Sequence, residues 1–174
     1  KHILKKDKND INNFTEISYF TAYNNGKWGV INSNGDSIIE PAYDEMIVIP
    51  NSKKDVFLCM YDVNYSDGTY KTKAINSKNE QLFTSYTSVE PLSNYNSNKE
   101  TWYETTALKV QKDGKYGLIN IDGNEILSCI YDKVDTIKGI KNSILIQKDG
   151  LYGVVNATGN IIIEPQYSDI QGLT

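Results

Sequence analysis

Apolar and polar positions alternate with a period of two in four short runs: ISYFTAY (17–23), VFLCMYD (56–62), ALKVQK (107–112) and SILIQK (143–148). That period is the mark of a strand with one side turned to a core. Beyond each run stands an Asx-Gly dipeptide, Asn25-Gly26, Asp67-Gly68, Asp113-Gly114 or Asp149-Gly150. Such dipeptides tolerate positive φ, so they predict a type I′ turn and a tight hairpin. The next strand, WGVIN, YGLIN or YGVVN, carries no charge, which predicts that both its faces are covered. A second turn, at Asn34-Gly35, Asp122-Gly123 or Thr158-Gly159, returns the chain into a third strand, SIIEP, EILSC or IIIEP. Pro41 and Pro165 are expected to stop pairing there, because proline has no N–H to give a ladder. Residues 45–49, 133–137 and 168–173 are candidates for a fourth strand. No stretch carries the period of a long amphipathic helix, so the chain reads as all-β.

The same run of residues returns along the chain: NGKWGVINSNG at 25–35, DGKYGLINIDG at 113–123 and DGLYGVVNATG at 149–159. A fourth, altered copy lies at 70–89, where Asn76 falls in step with Asn32, Asn120 and Asn156 at spacings of 44, 44 and 36 residues. In each copy an apolar pair precedes a tyrosine: Ile38-Ile39 to Tyr43, Leu82-Phe83 to Tyr86, Ile126-Leu127 to Tyr131, Ile162-Ile163 to Tyr167. Fixed-period self-similarity is the signature of a tandem array. The boundaries read as a polar lead-in over 1–14, expected to be loose, and a repeat domain over 15–174 with units at about 15–49, 55–90, 105–137 and 142–174. Residues 91–104 (PLSNYNSNKETWYE) form an Asn/Ser-rich insertion loop between the second and third units. The expected fold is a tandem array of antiparallel hairpins in three- to four-stranded repeats. Variable linkers favour an open curved solenoid, with a compact propeller-like ring as the alternative, since 36 to 44 residues in three or four strands also describes a blade.

Glycine inside a strand costs about 0.5–1 kcal/mol relative to alanine. Gly29, Gly117 and Gly153 therefore imply that something approaches the backbone closely. The sequence suggests an aromatic ring laid across the strand, with Tyr43, Tyr131 and Tyr167 as the visitors. Trp28, Tyr116 and Tyr152 recur beside these glycines and are expected in the core.

The motif G-K-[WY]-G-[VL]-[IV]-[ND]-x-x-G, continued by an apolar pair, Glu-Pro and Tyr-Asp, resembles the WG or KWG repeat of bacterial proteins. The likeness covers roughly residues 15–174. It departs from the pattern where tyrosine replaces tryptophan at 116 and 152, where Cys129 takes the place of the third unit's proline, and through most of the second unit. The resemblance implies a β-rich tandem array used for binding, often in proteins with a signal peptide or envelope anchor, and it brings no catalytic residues.

Composition narrows the chemistry. All 18 basic residues are Lys, set against 22 Asp and Glu for a net charge of −4, so the bidentate Arg fork used on phosphates and bases is missing and nucleic acid is not expected as a partner. The single histidine, His2, leaves Ser-His, Cys-His and His-metal arrangements without a base or ligand. Cys59 and Cys129 are too few for a disulfide framework or zinc site and read as small buried hydrophobes. The mixed Asx and Gly of NSNGD (32–36) and NIDGN (120–124) lack the acidic spacing of a calcium loop. Carboxylate pairs at Glu40/Asp44 and Glu164/Asp169 recur at one repeat position and are read as structural, with a carboxylate-based glycosidase kept as an alternative. No catalytic residue, metal or cofactor is expected, and no apolar run approaches the ~20 residues that span a bilayer.

Trp102, Tyr103 and Tyr95 do not belong to the repeat and lie together in the Asn/Ser-rich insertion, the composition of an adaptable binding loop. They are the candidate ligand contacts, against the alternative that Trp102 caps the neighbouring unit. The expected function is non-catalytic binding of a protein or cell-envelope ligand, with a carbohydrate-binding module and a structural spacer as the other readings. A secreted or surface-anchored location is favoured over a cytoplasmic one.

Overall fold

The computed structural model describes residues 2–6 and 14–173. Regular structure in them is entirely β, in four antiparallel sheets of three or four strands. The chain divides into two compact units, Lys1–Leu82 and Phe83–Thr174. The division falls inside the altered second repeat, between the two members of its apolar pair.

In the first unit, β1 (His2–Lys6), β2 (Phe14–Asn24), β3 (Lys27–Asn32) and β4 (Ser37–Tyr43) lie in sheet order as in sequence, and β5 (Phe57–Asn64), β6 (Thr69–Ile75) and β7 (Gln81–Leu82) form a second sheet. His2–Lys6, inside the stretch read as a lead-in, pairs along β2 from Phe14 to Ser18. Residues 7–13 of that stretch lie outside the described residues. In the second unit, β8 (Ser88–Tyr95), β9 (Thr101–Lys112), β10 (Lys115–Asn120) and β11 (Glu125–Tyr131) make one sheet, and β12 (Lys133–Thr136), β13 (Ile144–Lys148), β14 (Leu151–Val155) and β15 (Ile161–Tyr167) the other.

The sheets are out of phase with the repeats. Within a repeat the three strands around the two turns pair as the sequence predicts, but the tail beyond them leaves for the next sheet. β12 is the tail of the third repeat and is the edge strand against β13 of the fourth. The tail of the first repeat reaches β5 through a Val48–Leu58 bridge and a backbone bond from Asp44 N–H to the Met60 carbonyl, 3.0 Å. The third candidate tail, 168–173, forms no strand. The junction inside each unit also shares a core. In the first unit Tyr19, Val30, Ile39 and Tyr43 pack with Phe57, Cys59 and Ile75. In the second, Leu118, Leu127 and Tyr131 pack with Val134, Ile144, Ile146 and Val155.

The first turn is type I′ in three repeats, with paired positive φ of 50° and 81° at Asn25-Gly26 and closely similar values at Asp113-Gly114 and Asp149-Gly150. The second repeat differs. Asp67 is not in the left-handed region; instead Asp62 has φ 51°, the register slips between Tyr61 and Asn64, and Gly68 N–H closes a wider loop on the Asn64 carbonyl at 2.8 Å.

The repeat glycines answer to backbone, not to an aromatic ring. A Cβ on Gly117 would stand 2.4 Å from the Leu127 carbonyl oxygen, 2.8 Å from Ser128 C and 2.9 Å from Cys129 N, and Gly29 and Gly153 meet the same atoms of β4 and β15. The cause is a bulge: Trp28 pairs with Tyr43 and Val30 with Ile39, so Gly29 alone faces three residues of β4. Pro41 and Pro165 therefore do not end pairing; they sit in the bulge, where no ladder N–H is required, and pairing resumes at the tyrosine. Cys129 occupies that place in the third repeat with the same geometry. Tyr43, Tyr131 and Tyr167 are thus cross-strand partners of Trp28, Tyr116 and Tyr152. Those three are half-buried, so the uncharged strand is covered at its Gly and first apolar position but not at its aromatic. A ring does overlie one glycine, Gly123, where a Cβ would meet the Phe83 ring at 2.6 Å.

Candidate functional site

The segment that breaks the repeat is a hairpin arm, not a loop. β8 and β9 carry the third repeat's first strand outward, pairing Ser93 with Tyr103, Asn94 with Trp102 and Tyr95 with Thr101. Its tip repeats the device that ends each WG strand. Asn32, Asn76, Asn120 and Asn156 each accept at Oδ1 from the backbone N–H two and four residues on, as at Asn34 and Asp36, both 2.9 Å. Asn96 accepts the same two bonds, from Asn98 at 2.9 Å and Glu100 at 3.0 Å. The position that is left-handed glycine at 35, 123 and 159 is Asn79 (φ 62°) in the second repeat and Lys99 (φ 63°) in the arm. The cue is present in the sequence as NSNKE (96–100) beside NSNGD and NSKNE, but without Gly it reads as loop.

The arm is fixed along one side. Asn94 is buried, its Nδ2 donating to the carbonyls of Ile137 (2.9 Å) and Ile140 (3.0 Å) and its Oδ1 accepting from Gly139 N–H at 3.0 Å. Thr136 Oγ1 donates to the Ser93 carbonyl at 2.7 Å, and Glu104 Oε1 accepts from Asn142 N–H at 3.1 Å. Directly opposed residues of an antiparallel pair share a face. Trp102 therefore shares Asn94's face, while Tyr95 and Tyr103 share the other; the three aromatics do not form one patch. Trp102 is half-buried with the Lys141 ammonium 5.4 Å from its ring, and its indole N–H is covered and meets no acceptor among the described residues. Tyr95 is exposed, with Lys138 5.4 Å from its ring, and Tyr103 is half-buried.

The recurring carboxylates do a different job. Asp44 pairs with Lys27 and accepts from Val63 N–H at 3.1 Å; Asp132 pairs with Lys115 and accepts from Asp149 N–H at 3.0 Å. Each aspartate ties its own repeat's turn to the next repeat's hairpin. The lysine hydrogen bond first, and the backbone N–H second, hold both carboxyls below the usual range. In the fourth repeat both partners are replaced together, by Leu151 and Ser168. Cys59 is buried, and desolvation pushes its thiol up to about 12. Cys129 is half-buried rather than buried, as its bulge position dictates. Among the described residues no three His, Cys, Asp or Glu side chains are grouped to hold a metal ion, and no helix is long and apolar enough to cross a membrane.

Staggered antiparallel sheets built on a bulged Gly strand define a tandem β-repeat. The family model of the WG containing repeat matches residues 28–51, 116–152 and 152–173, the first, third and fourth repeats. The chain belongs to the WG-repeat family. Among curated proteins and among solved structures nothing matches significantly.

Proposed function

We infer that this chain is a non-catalytic binding module, in which the repeat array is scaffold and the 93–103 arm is the contact element. The observation that carries the reading is Trp102: a covered indole N–H with no acceptor among the described residues, on a ring flanked by a lysine, in a hairpin arm that departs from the repeat. Buried donors are ordinarily satisfied, so this orphan marks a side chain whose bonding is incomplete in the free chain, and a shift of the ring on binding would let its N–H reach a partner's oxygen. The lysines over Trp102 and Tyr95 add positive charge beside apolar rings, which suits an acidic or carbonyl-rich protein segment or envelope polymer. Support for a non-catalytic reading comes from the carboxylates: Asp44 and Asp132 are engaged by lysine and backbone at the repeat junctions. A protein or cell-envelope ligand is the partner class we favour.

The test uses Trp28→Phe, which leaves Trp102 as the single tryptophan. Its emission is followed during titration with soluble cell-wall glycan fragments and, separately, with purified envelope proteins. Binding should shift the emission, and Trp102→Ala should abolish binding while keeping the unfolding midpoint. A large loss of stability in Trp102→Ala would make the residue a cap over the Asn94 face and refute the reading.

A further inference from the structure

The two strands of the arm differ in what their outer edges meet. Asn96 N–H donates to the Glu100 carbonyl at 3.0 Å and closes the hairpin. Bonded and non-bonded pairs alternate along an antiparallel ladder, so Asn94–Trp102 is the next bonded pair, while Tyr95–Thr101 and Ser93–Tyr103 turn their N–H and C=O groups outward. On β8 the outward groups are engaged: the Ser93 carbonyl accepts from Thr136 Oγ1 at 2.7 Å, and Tyr95 N–H donates to Asn94 Oδ1 at 2.7 Å. On β9 they are not. β10 pairs with β9 only from Lys112 to Ala107, and the last backbone bond on that side runs from Ile121 N–H to the Thr106 carbonyl, 3.2 Å. Among the described residues nothing bonds the outward backbone groups of Thr101 or Tyr103.

These two residues stand about 7 Å apart along the strand, each offering one donor and one acceptor in line with β10. That pattern is matched by an extended peptide backbone, whose own N–H and C=O groups alternate at the same spacing. Side chains of an added strand would fall on both faces of the arm. One opposite Trp102 would lie on the Asn94 face, where the Lys141 ammonium stands 5.4 Å from the indole ring. Lys141 is exposed and makes no ion pair among the described residues, so this position suits a carboxylate.

We propose that the arm takes its partner by strand addition: an extended peptide segment pairs along Thr101–Tyr103 as a continuation of the β10 line, with an acidic side chain opposite Trp102 and facing Lys141. The inference rests on the arm being the contact element and adds the kind of partner and the mode of contact. Main-chain bonds supply the grip, and Trp102 with Lys141 supplies the selectivity.

Amide hydrogen exchange in the full chain is the first measurement. The Thr101 and Tyr103 amides should exchange at least about tenfold faster than that of Trp102, which is bonded to β8; equal protection in the free chain would overturn the proposal. A random peptide library displayed on phage is then selected on the chain and counter-selected on Tyr103→Pro. Proline removes an outward N–H and no bond to β8, so the arm should persist, as cross-strand contacts between Asn94 and Trp102 in NMR spectra would show; should it not, Thr101→Pro tests the same edge. Selected peptides should carry Asp or Glu, bind the parent chain about tenfold or more tightly than the proline variant, and slow exchange at Thr101 and Tyr103. Peptides that bind both forms equally or protect other amides, or a selection that yields none, would overturn strand addition, as would protection of these amides by self-association of the chain. Peptides lost in Trp102→Ala but kept in Tyr103→Pro would leave the arm as the contact element and refute only its open edge.

Discussion

Replacing Gly117 by alanine gives the sharpest test of the bulged strand. Were the site open, alanine would stabilise the strand by about 0.5–1 kcal/mol, because glycine surrenders more backbone freedom on folding. The structure reverses that sign. The new Cβ would lie 2.4 Å from the Leu127 carbonyl oxygen, with Ser128 C and Cys129 N at 2.8 and 2.9 Å, all inside the 3.0 Å that real Cβ contacts respect. All three are backbone atoms, so no side chain can swing aside. β11 must retreat, and retreat disturbs the flanking pairs Tyr116–Tyr131 and Leu118–Leu127 and the fully buried Leu118. Overpacking a core costs about 1–3 kcal/mol, and with the lost pairing we expect about 2–4 kcal/mol of destabilisation. In urea, with a slope of roughly 1–3 kcal/mol per molar, the midpoint should fall by about 1 M or more. Gly114→Ala is the control: its φ is +75° but nothing lies within 4 Å of the added carbon, so only the left-handed penalty of roughly 1–2 kcal/mol applies. If Gly117→Ala unfolds at the wild-type midpoint or above it, the bulge does not require glycine and the explanation of the repeat motif fails.

Lys99→Gly should raise the arm's stability by about 1 kcal/mol, since it removes a side chain from a left-handed position; slower hydrogen exchange at the 96–104 amides would show it. Asn120→Ala removes the acceptor for Asp122 and Asn124 N–H and should cost about 1–2 kcal/mol in thermal unfolding. Asp132, with its carboxyl held low by Lys115 and the Asp149 N–H, favours the folded state at pH values above the ordinary carboxylate range. That contribution disappears as pH falls through the lowered value, so Asp132→Asn and wild type should differ at neutral pH and converge in acid. Burial raises Tyr43 and the Cys59 thiol to about 12, so their contribution is complete below the unfolded thiol's pKa and declines as pH rises toward about 12. Alkaline unfolding should be delayed in Cys59→Ala relative to its own neutral-pH stability.

What the sequence discloses here depends on whether a signal is local. Asn25-Gly26, Asp113-Gly114 and Asp149-Gly150 are legible because a two-residue turn makes its demand on the residues that form it. The glycines of the WG strand announce a close approach equally well. They do not say what approaches, because the visiting atoms lie on β4, β11 and β15 and depend on a bulge that alternation alone does not reveal. The arm is hidden for the reverse reason: Lys99 holds a glycine conformation, and Pro91 beside a polar run looks like a loop although proline is tolerated where β8 and β9 slip register. Of the candidate contacts, Trp102 and Tyr103 share a strand as their spacing suggests, yet strand alternation places them on opposite faces, which composition alone does not convey. Tyr167 shows another limit. It occupies the same pairing position as Tyr43 and Tyr131, yet it is exposed where they are buried, because burial there is decided by what packs on the face and not by the residues around the tyrosine.

The half-step offset between sheet and repeat has a consequence for how such a gene can grow. Because the third and fourth repeats take their sheet's edge strand from the period before, such a period is not a self-sufficient folding piece, yet any stretch one period long contains each part once. Duplicating such a stretch in frame, wherever the ends of the copy fall, supplies a tail to receive and a tail to donate. Excising one at the apparent repeat boundaries and expressing it alone strips a sheet of its outer strand and leaves that strand's partner as an open edge, a form prone to pair with whatever strand it meets. Lengthening the array is therefore tolerant of where the cut is made, and isolating a piece of it is not.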